Sequence, residues 1–168
     1  INLPVENAKN LPTDLSAMAR QIRSNVARRA LVLPTGSEII AGQVKDTNTP
    51  FLIDLLKSEG FTAEVGPAVA DDLDSAIGAL TDAGIRGHGL VVTTGGTGLG
   101  PRDVTVEATE DVIDRQIPGI MEAARNFGQR RTPYAMLSRG VAGQKGRSVI
   151  VNLPGSSKGV EESLDAVF

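Results

Sequence analysis

Short apolar runs separated by amphipathic stretches set the rhythm of this chain from residue 30 onward. The run ALVL at 30–33 is stopped by Pro34, the pattern of a parallel strand buried on both faces. Thr49 followed by Pro50 reads as an N-cap with proline at the first helical position, and Gly60 ends that helix. Residues 61–69 read as a second strand. Asp71 or Asp72 then caps a helix that presents Leu73, Ile77 and Leu80 on one face and closes at Gly84. A third strand spans 90–94 and runs into a glycine-rich loop, with a helix from about Thr105. A short strand near 135–138, a clear one at 148–152 and a helix after Gly155, Ser156 and Ser157 complete the series. Such alternation predicts an α/β domain over residues 30–168, with a mostly parallel sheet between two helical layers. Ligands bind such sheets beyond the carboxyl ends of the strands, where all the glycine-rich stretches fall.

Residues 1–29 stand apart as an N-terminal extension. Leu15, Met18, Ala19, Ile22 and Val26 share one helical face, and Arg20, Arg23, Arg28 and Arg29 surround it. This pattern predicts a helix packed on the domain or on a neighbouring subunit; a linker from an upstream fused domain is the alternative. With Ile1 in first position, the expectation is a piece of a longer product.

Composition narrows the function classes. A length of 168 residues suits one domain, and 40% hydrophobic residues supply its core. The absence of cysteine excludes disulfides, thiolate metal sites and cysteine nucleophiles. Aromatics at 3% and a net charge of −3 argue against a nucleic-acid partner, which needs a basic face and stacking rings. No apolar run approaches the roughly 18 residues of a membrane helix, and no signal-peptide pattern opens the chain. A cytoplasmic protein is expected.

The candidate chemistry centres on VVTTGGTGLGPRDVT at 91–105. Gly95 and Gly100 have the spacing of a P-loop, but Pro101 and Arg102 stand where it needs Lys and Ser or Thr. Gly96 and Gly98 fit the dinucleotide fingerprint, but Pro101 occupies its third glycine position. What survives both tests is general: a strand end, a backbone without side chains and a helix N-terminus. Exposed N–H groups and the helix dipole together attract an anion.

TTGGTG at 93–98, RDVT at 102–105 and EAT at 107–109 resemble the signature of the MoaB/Mog molybdopterin-binding domains of molybdenum cofactor biosynthesis. LSRG at 137–140 and NLPGS at 152–156 agree in the same order. Two stretches, TGSE at 35–38 and GQVKDTN at 42–48, look more like the related domain of molybdenum insertases and CinA-type proteins. Val106 replaces the proline usual after the Asp-Val-Thr motif. The resemblance implies a three-layer αβα sandwich, commonly a homotrimer, that binds molybdopterin, a pterin dithiolene with a terminal phosphate.

The family's adenylyltransferases join that phosphate to AMP and release pyrophosphate from ATP. Such chemistry needs two anions aligned and their repulsion offset, a task of positioning and electrostatics. Mg²⁺ does much of it, held by one or two carboxylates plus phosphates and waters. The resemblance puts Asp103 and Asp71 in that role, with Glu38 and Asp46 as further candidate metal ligands. Thr94, Gly95, Gly96, Thr97 and Gly98 are expected to donate to phosphate, and Ser138, Asn152, Pro154, Gly155 and Ser156 to complete the pterin pocket. Arg102 and Arg139 read either as bidentate phosphate ligands or as solvated side chains, and Lys158 is equally open. His88 reads as a loop residue without a catalytic partner. Two rivals stay open at this point: a non-catalytic pterin-binding module of a larger or fused cofactor-biosynthesis protein, and a CinA-like nucleotide pyrophosphatase.

Overall fold

The computed structural model describes residues 28–167, so the amphipathic segment expected before Arg28 lies outside them. The first strand, β1 (Arg29–Pro34), opens at Arg29, one residue before the apolar run. It is followed by a one-turn helix α1 (Ser37–Ile40), α2 (Asn48–Ser58), β2 (Thr62–Val65), α3 (Leu73–Ile85) and β3 (Leu90–Thr94). Then come α4 (Thr105–Val112), β4 (Arg115–Gln116), α5 (Pro118–Gly128), a 3₁₀ turn (Pro133–Leu137), β5 (Ala142–Lys145), β6 (Ser148–Leu153) and α6 (Ser157–Asp165).

Among the described residues six strands form one sheet in the order β2-β1-β3-β6-β5-β4. The β1–β2, β1–β3 and β3–β6 pairings are parallel; β5 and β4 add an antiparallel edge. Alternate residues of β1 explain the layering. Leu31 and Leu33 face a core built with Ala76, Leu80 and Val112 of α3 and α4. Ala30 and Val32 face the opposite core, with Leu52, Leu56, Val160 and Leu164 of α2 and α6. Helices therefore cover both faces, as an apolar strand run requires.

Helix boundaries follow capping chemistry. Asp72 Oδ1 accepts from Ser75 N at 2.8 Å, which selects Asp72 over Asp71 as the cap of α3. Gly84 stays inside that helix, and Gly87, with φ of +77°, turns the chain after it. At α2 the cap is Asp46, whose Oδ1 accepts from Asn48 N and Thr49 N at 3.1 and 3.0 Å, so Pro50 is the third helical residue. The strand expected near 135–138 is the 3₁₀ turn. Pro133 opens it and the Thr132 hydroxyl accepts from Tyr134 N, a turn-starting arrangement that precludes a strand ladder.

Candidate functional site

β1, β3 and β6 end side by side, and their loops stack at one edge of the sheet. After β3 the chain turns at Gly95 and Gly96, with φ of +104° and +64°. A side chain at Gly96 would lie 3.0 Å from Cβ of Thr105, the first residue of α4, and only glycine takes that φ without strain. Side chains at Gly98 and Gly100 would meet the Asp103 carboxylate at 2.9 and 2.8 Å. That carboxylate lies over the loop, and its Oδ2 accepts from Gly100 N at 2.8 Å. The glycines thus make room for an acid that already rests on the loop's own backbone. Among the described residues the N–H groups of Gly96, Thr97 and Gly98 meet no acceptor, and neither does anything donate to Asp103 Oδ1. Gly100, Asp103, Glu107 and Arg139 line a pocket of about 440 Å³ beside them.

Several expected residues gather around this loop. Thr35 donates through both N and Oγ1 to the Thr94 carbonyl, at 3.1 and 2.8 Å. Asp71 Oδ2 accepts from Ser37 N at 2.9 Å, which holds the start of α1 in place. Its neighbour Glu38 pairs with Arg102 at 3.2 Å, tying the β1 loop to the glycine loop. Arg102 is largely exposed apart from this pair. The loop after β6 touches the glycine loop directly: Gly95 N donates to Leu153 O at 3.0 Å, and a Cβ on Gly155 would stand 3.5 Å from Gly95 Cα.

Asp46, besides capping α2, adjoins the β6 loop, because Asn48 Nδ2 donates to Gly155 O at 2.8 Å. Ser156 caps α6 by accepting from Gly159 N at 3.2 Å. Pro154, Ser156 and Ser138 line a second pocket, of about 340 Å³. A third, of about 360 Å³, shares Ser138 and Arg125 with it and shares Arg139 with the glycine-loop pocket. Ser138 Oγ is buried between them without a partner among the described residues. A buried hydroxyl in that state is unusual in a folded protein and suits a ligand-facing group.

Asn152 behaves differently. It is fully buried; its Nδ2 donates to Thr93 Oγ1 and Thr109 Oγ1 at 3.0 and 2.9 Å, and its Oδ1 accepts from Val141 N at 3.3 Å. The amide ties β6 to β3, α4 and the approach to β5. Thr94 and Thr97 are buried as well, at 2% and 4% exposure. Lys158 is exposed and pairs with Glu161 at 2.7 Å.

Two polar residues take roles their sequence context does not reveal. His88 is buried at the other end of the sheet, where its Nδ1 meets Ala83 O at 3.0 Å and its Nε2 meets Glu64. The guanidinium of Arg139 reaches Gly98 O, Asp103 O and Glu107. The LSRG motif marks the position, but the partners lie 32 to 41 residues away in sequence.

Among the described residues no group of three carboxylate or imidazole side chains gathers to hold a metal. Asp103 and Asp71 each keep one carboxylate oxygen without a protein donor. Each is thus a partly free carboxylate, the kind of ligand a magnesium ion carried mostly by phosphates and waters takes.

Comparison with known proteins identifies relatives of the chain. A protein of Helicobacter pylori named molybdopterin adenylyltransferase is 51% identical over 79 residues, 47% of this chain. A molybdenum cofactor biosynthesis bifunctional protein of Chlorobaculum tepidum is 35% identical over 140 residues, 83% of this chain. The chain spans less than half of both relatives, 45% of the length of each. The solved structure of the molybdopterin biosynthesis Mog protein from Mycobacterium ulcerans superposes with a TM-score of 0.79 at 39% identity. That match covers 83% of this chain and 91% of the other. The family described as "Probable molybdopterin binding domain" matches residues 31–168, which takes in all three strand-end loops, and the chain belongs to that family.

Proposed function

We propose that this chain binds molybdopterin and adenylylates it with Mg-ATP, releasing pyrophosphate. The observation that carries this reading is the glycine loop itself: the N–H groups of Gly96, Thr97 and Gly98 have no acceptor among the described residues, and just beyond them Asp103, with one carboxylate oxygen free of donors, lines a pocket of about 440 Å³. Backbone donors of this kind receive phosphate oxygens, and a carboxylate at the same place would repel phosphate unless a cation lay between them. Asp103 and Asp71 would hold magnesium, which when bound offsets the charge of the two phosphate groups. The glycine loop orients the attacking phosphate, and the pocket bearing Ser138, Pro154 and Ser156 receives the pterin, with Ser138 Oγ free to bond its polar edge. An oxygen of the pterin phosphate bonds to the α-phosphorus as the bond to the bridging oxygen of pyrophosphate breaks. Nothing in the protein forms a covalent intermediate, so positioning supplies the rate.

A homotrimer, a cytoplasmic location and a fused or associated cofactor-biosynthesis domain belong to the same reading; the bifunctional Chlorobaculum relative supports the last of these. Among the described residues no helix is long and apolar enough to cross a membrane.

The test is incubation of the purified protein with ATP, Mg²⁺ and molybdopterin, followed by chromatography of the nucleotide products. Adenylylated molybdopterin with stoichiometric pyrophosphate is expected. Pterin binding without a nucleotide product would leave a binding module, and nucleotide cleavage that ignores the pterin would indicate a pyrophosphatase.

A further inference from the structure

Arg139 reaches the glycine loop from the segment that follows the 3₁₀ turn, and it meets that loop with both backbone and side chain. Its N–H donates to Thr97 O at 2.9 Å. Its Nε donates to Gly98 O at 2.7 Å and its Nη2 to Asp103 O at 2.7 Å. Nη1 and Nη2 also grip the Glu107 carboxylate, which stands in the first turn of α4. Four of the five guanidinium N–H bonds are thereby committed, and three carbonyls along 97–103 are held by one residue.

We infer that Arg139 is a positioning residue: it straps the glycine loop to α4 and thereby aims the Asp103 carboxylate, instead of binding substrate phosphate itself. The inference rests on the proposed adenylylation for its kinetic consequence, and on geometry alone for the strap.

The chemistry of the side chain fits this task. A loop rich in glycine has the largest conformational freedom to lose, and where side chains are missing its carbonyls serve as handles. A planar fork with donors fixed in one plane can bridge two carbonyls and a carboxylate together, which a lysine ammonium on a flexible stem cannot. Glu107 completes the strap by keeping the fork in register. The pairing holds Glu107 below the usual carboxylate range and raises Arg139 further, each through the hydrogen bond between them. The Asp103 carboxylate itself is fixed from the other side by Gly100 N, so its direction depends on where Arg139 puts the Asp103 backbone. An arginine bound to phosphate would have to release these partners first.

Arg139→Ala, Arg139→Lys and Glu107→Gln are to be compared with the unaltered protein by amide hydrogen exchange at Gly100 and by steady-state adenylylation. Arg139→Ala is expected to speed Gly100 exchange by about tenfold or more, because the loop opens locally. It should lower kcat by about 100-fold, the scale of a misplaced reacting group, while the KM for molybdopterin stays within about twofold. Arg139→Lys should recover little of either loss, Glu107→Gln should lose only a few-fold, and added guanidinium ion should restore part of the Arg139→Ala rate. A raised KM with kcat intact would make Arg139 a phosphate ligand and overturn the inference, as would unchanged Gly100 exchange. If the unaltered protein makes no adenylylated product, the proposed activity fails, and the exchange measurement still decides whether the strap exists. Should Arg139→Ala not fold, the lysine and glutamine variants give the same two readings.

Discussion

The two ends of the parallel strands treat polar groups in opposite ways. At the amino end no buried side-chain nitrogen or oxygen lacks a partner among the described residues. Both ring nitrogens of His88 have partners, Glu64 takes Arg29 Nη2 at 2.9 Å as well, and Ser148 Oγ donates to His88 O at 2.5 Å. Asp114 accepts from Gly146 N at 2.7 Å and from Lys145 Nζ at 3.0 Å. At the carboxyl end Ser138 Oγ, Thr49 Oγ1 and Asn48 Oδ1 are buried without partners among the described residues, and three loop N–H groups stand open. Leaving such groups unmet costs stability, and their concentration at one edge supports the proposal that a ligand binds there. Substitutions at the two ends should therefore separate folding from binding.

The largest effect belongs to Asp103→Asn. The amide oxygen still accepts from Gly100 N, so the melting temperature should hold, while adenylylation falls on the order of a thousandfold because the metal-binding charge is gone. Near-normal turnover in the folded variant would remove Asp103 from the mechanism. Gly96→Val comes next and breaks the simple division between the ends. From the motif alone its cost would fall on ligand binding, but the φ of +64° and the approach to Thr105 make it structural too. A loss of about 3 kcal/mol in denaturant unfolding is expected. At the opposite end, His88→Ala should cost about 2–4 kcal/mol through a cavity and unpaired neighbours, with ligand affinity unchanged in a calorimetric titration. Weakened binding there would mean that the two ends are coupled.

A pH series sharpens the comparison with a smaller effect. Glu64 is held below the usual carboxylate range by its hydrogen bond with His88 and then by that with Arg29; Asp114 is held down by Gly146 N–H and then by Lys145. A depressed folded-state pKa gives stability that is present above the ordinary carboxylate range. That stability is lost as pH falls through the folded value, below about pH 4. Melting followed from pH 6 down to 3 should show this decline weakened in Glu64→Gln. The smallest effect is Lys158→Ala, which removes an exposed pair with Glu161 and should move the melting temperature by less than about 2 °C.

Much of the scaffold could be read from residue patterns, for physical reasons. Strands β1, β3 and β6 lie between two helical layers and must be apolar on both sides, so ALVL, LVVTT and SVIVNL announce themselves. The antiparallel edge gives no such sign: β5 is AGQK, of which only Ala142 adds an apolar side chain to a core, and β4 is two exposed residues held by pairing with β5. Within the site, the glycine loop and Asp103 carry a local signature. The Arg139 strap and the Asn152 network do not, since their partners are distant in sequence and meet only when the sheet is assembled. The contacts of Asp46 with Asn48 N and Thr49 N, at the start of α2, were not part of what its motif suggested.

The contact between Gly95 and Gly155 has a consequence of a mechanical kind. Where two loops meet through side chains, the gap between them can be widened or narrowed one substitution at a time. Here main chain rests on main chain, with Gly95 N bonded to Leu153 O and no side chain in between. The spacing of the two loops is thus fixed by the dimensions of the polypeptide itself, and a displacement of one is passed to the other with no soft element to absorb it. Whatever this chain gains or loses in ligand preference has to be written in the outer walls, at positions such as Leu99, Met136 and Tyr134, whose side chains stand exposed at the pocket rims.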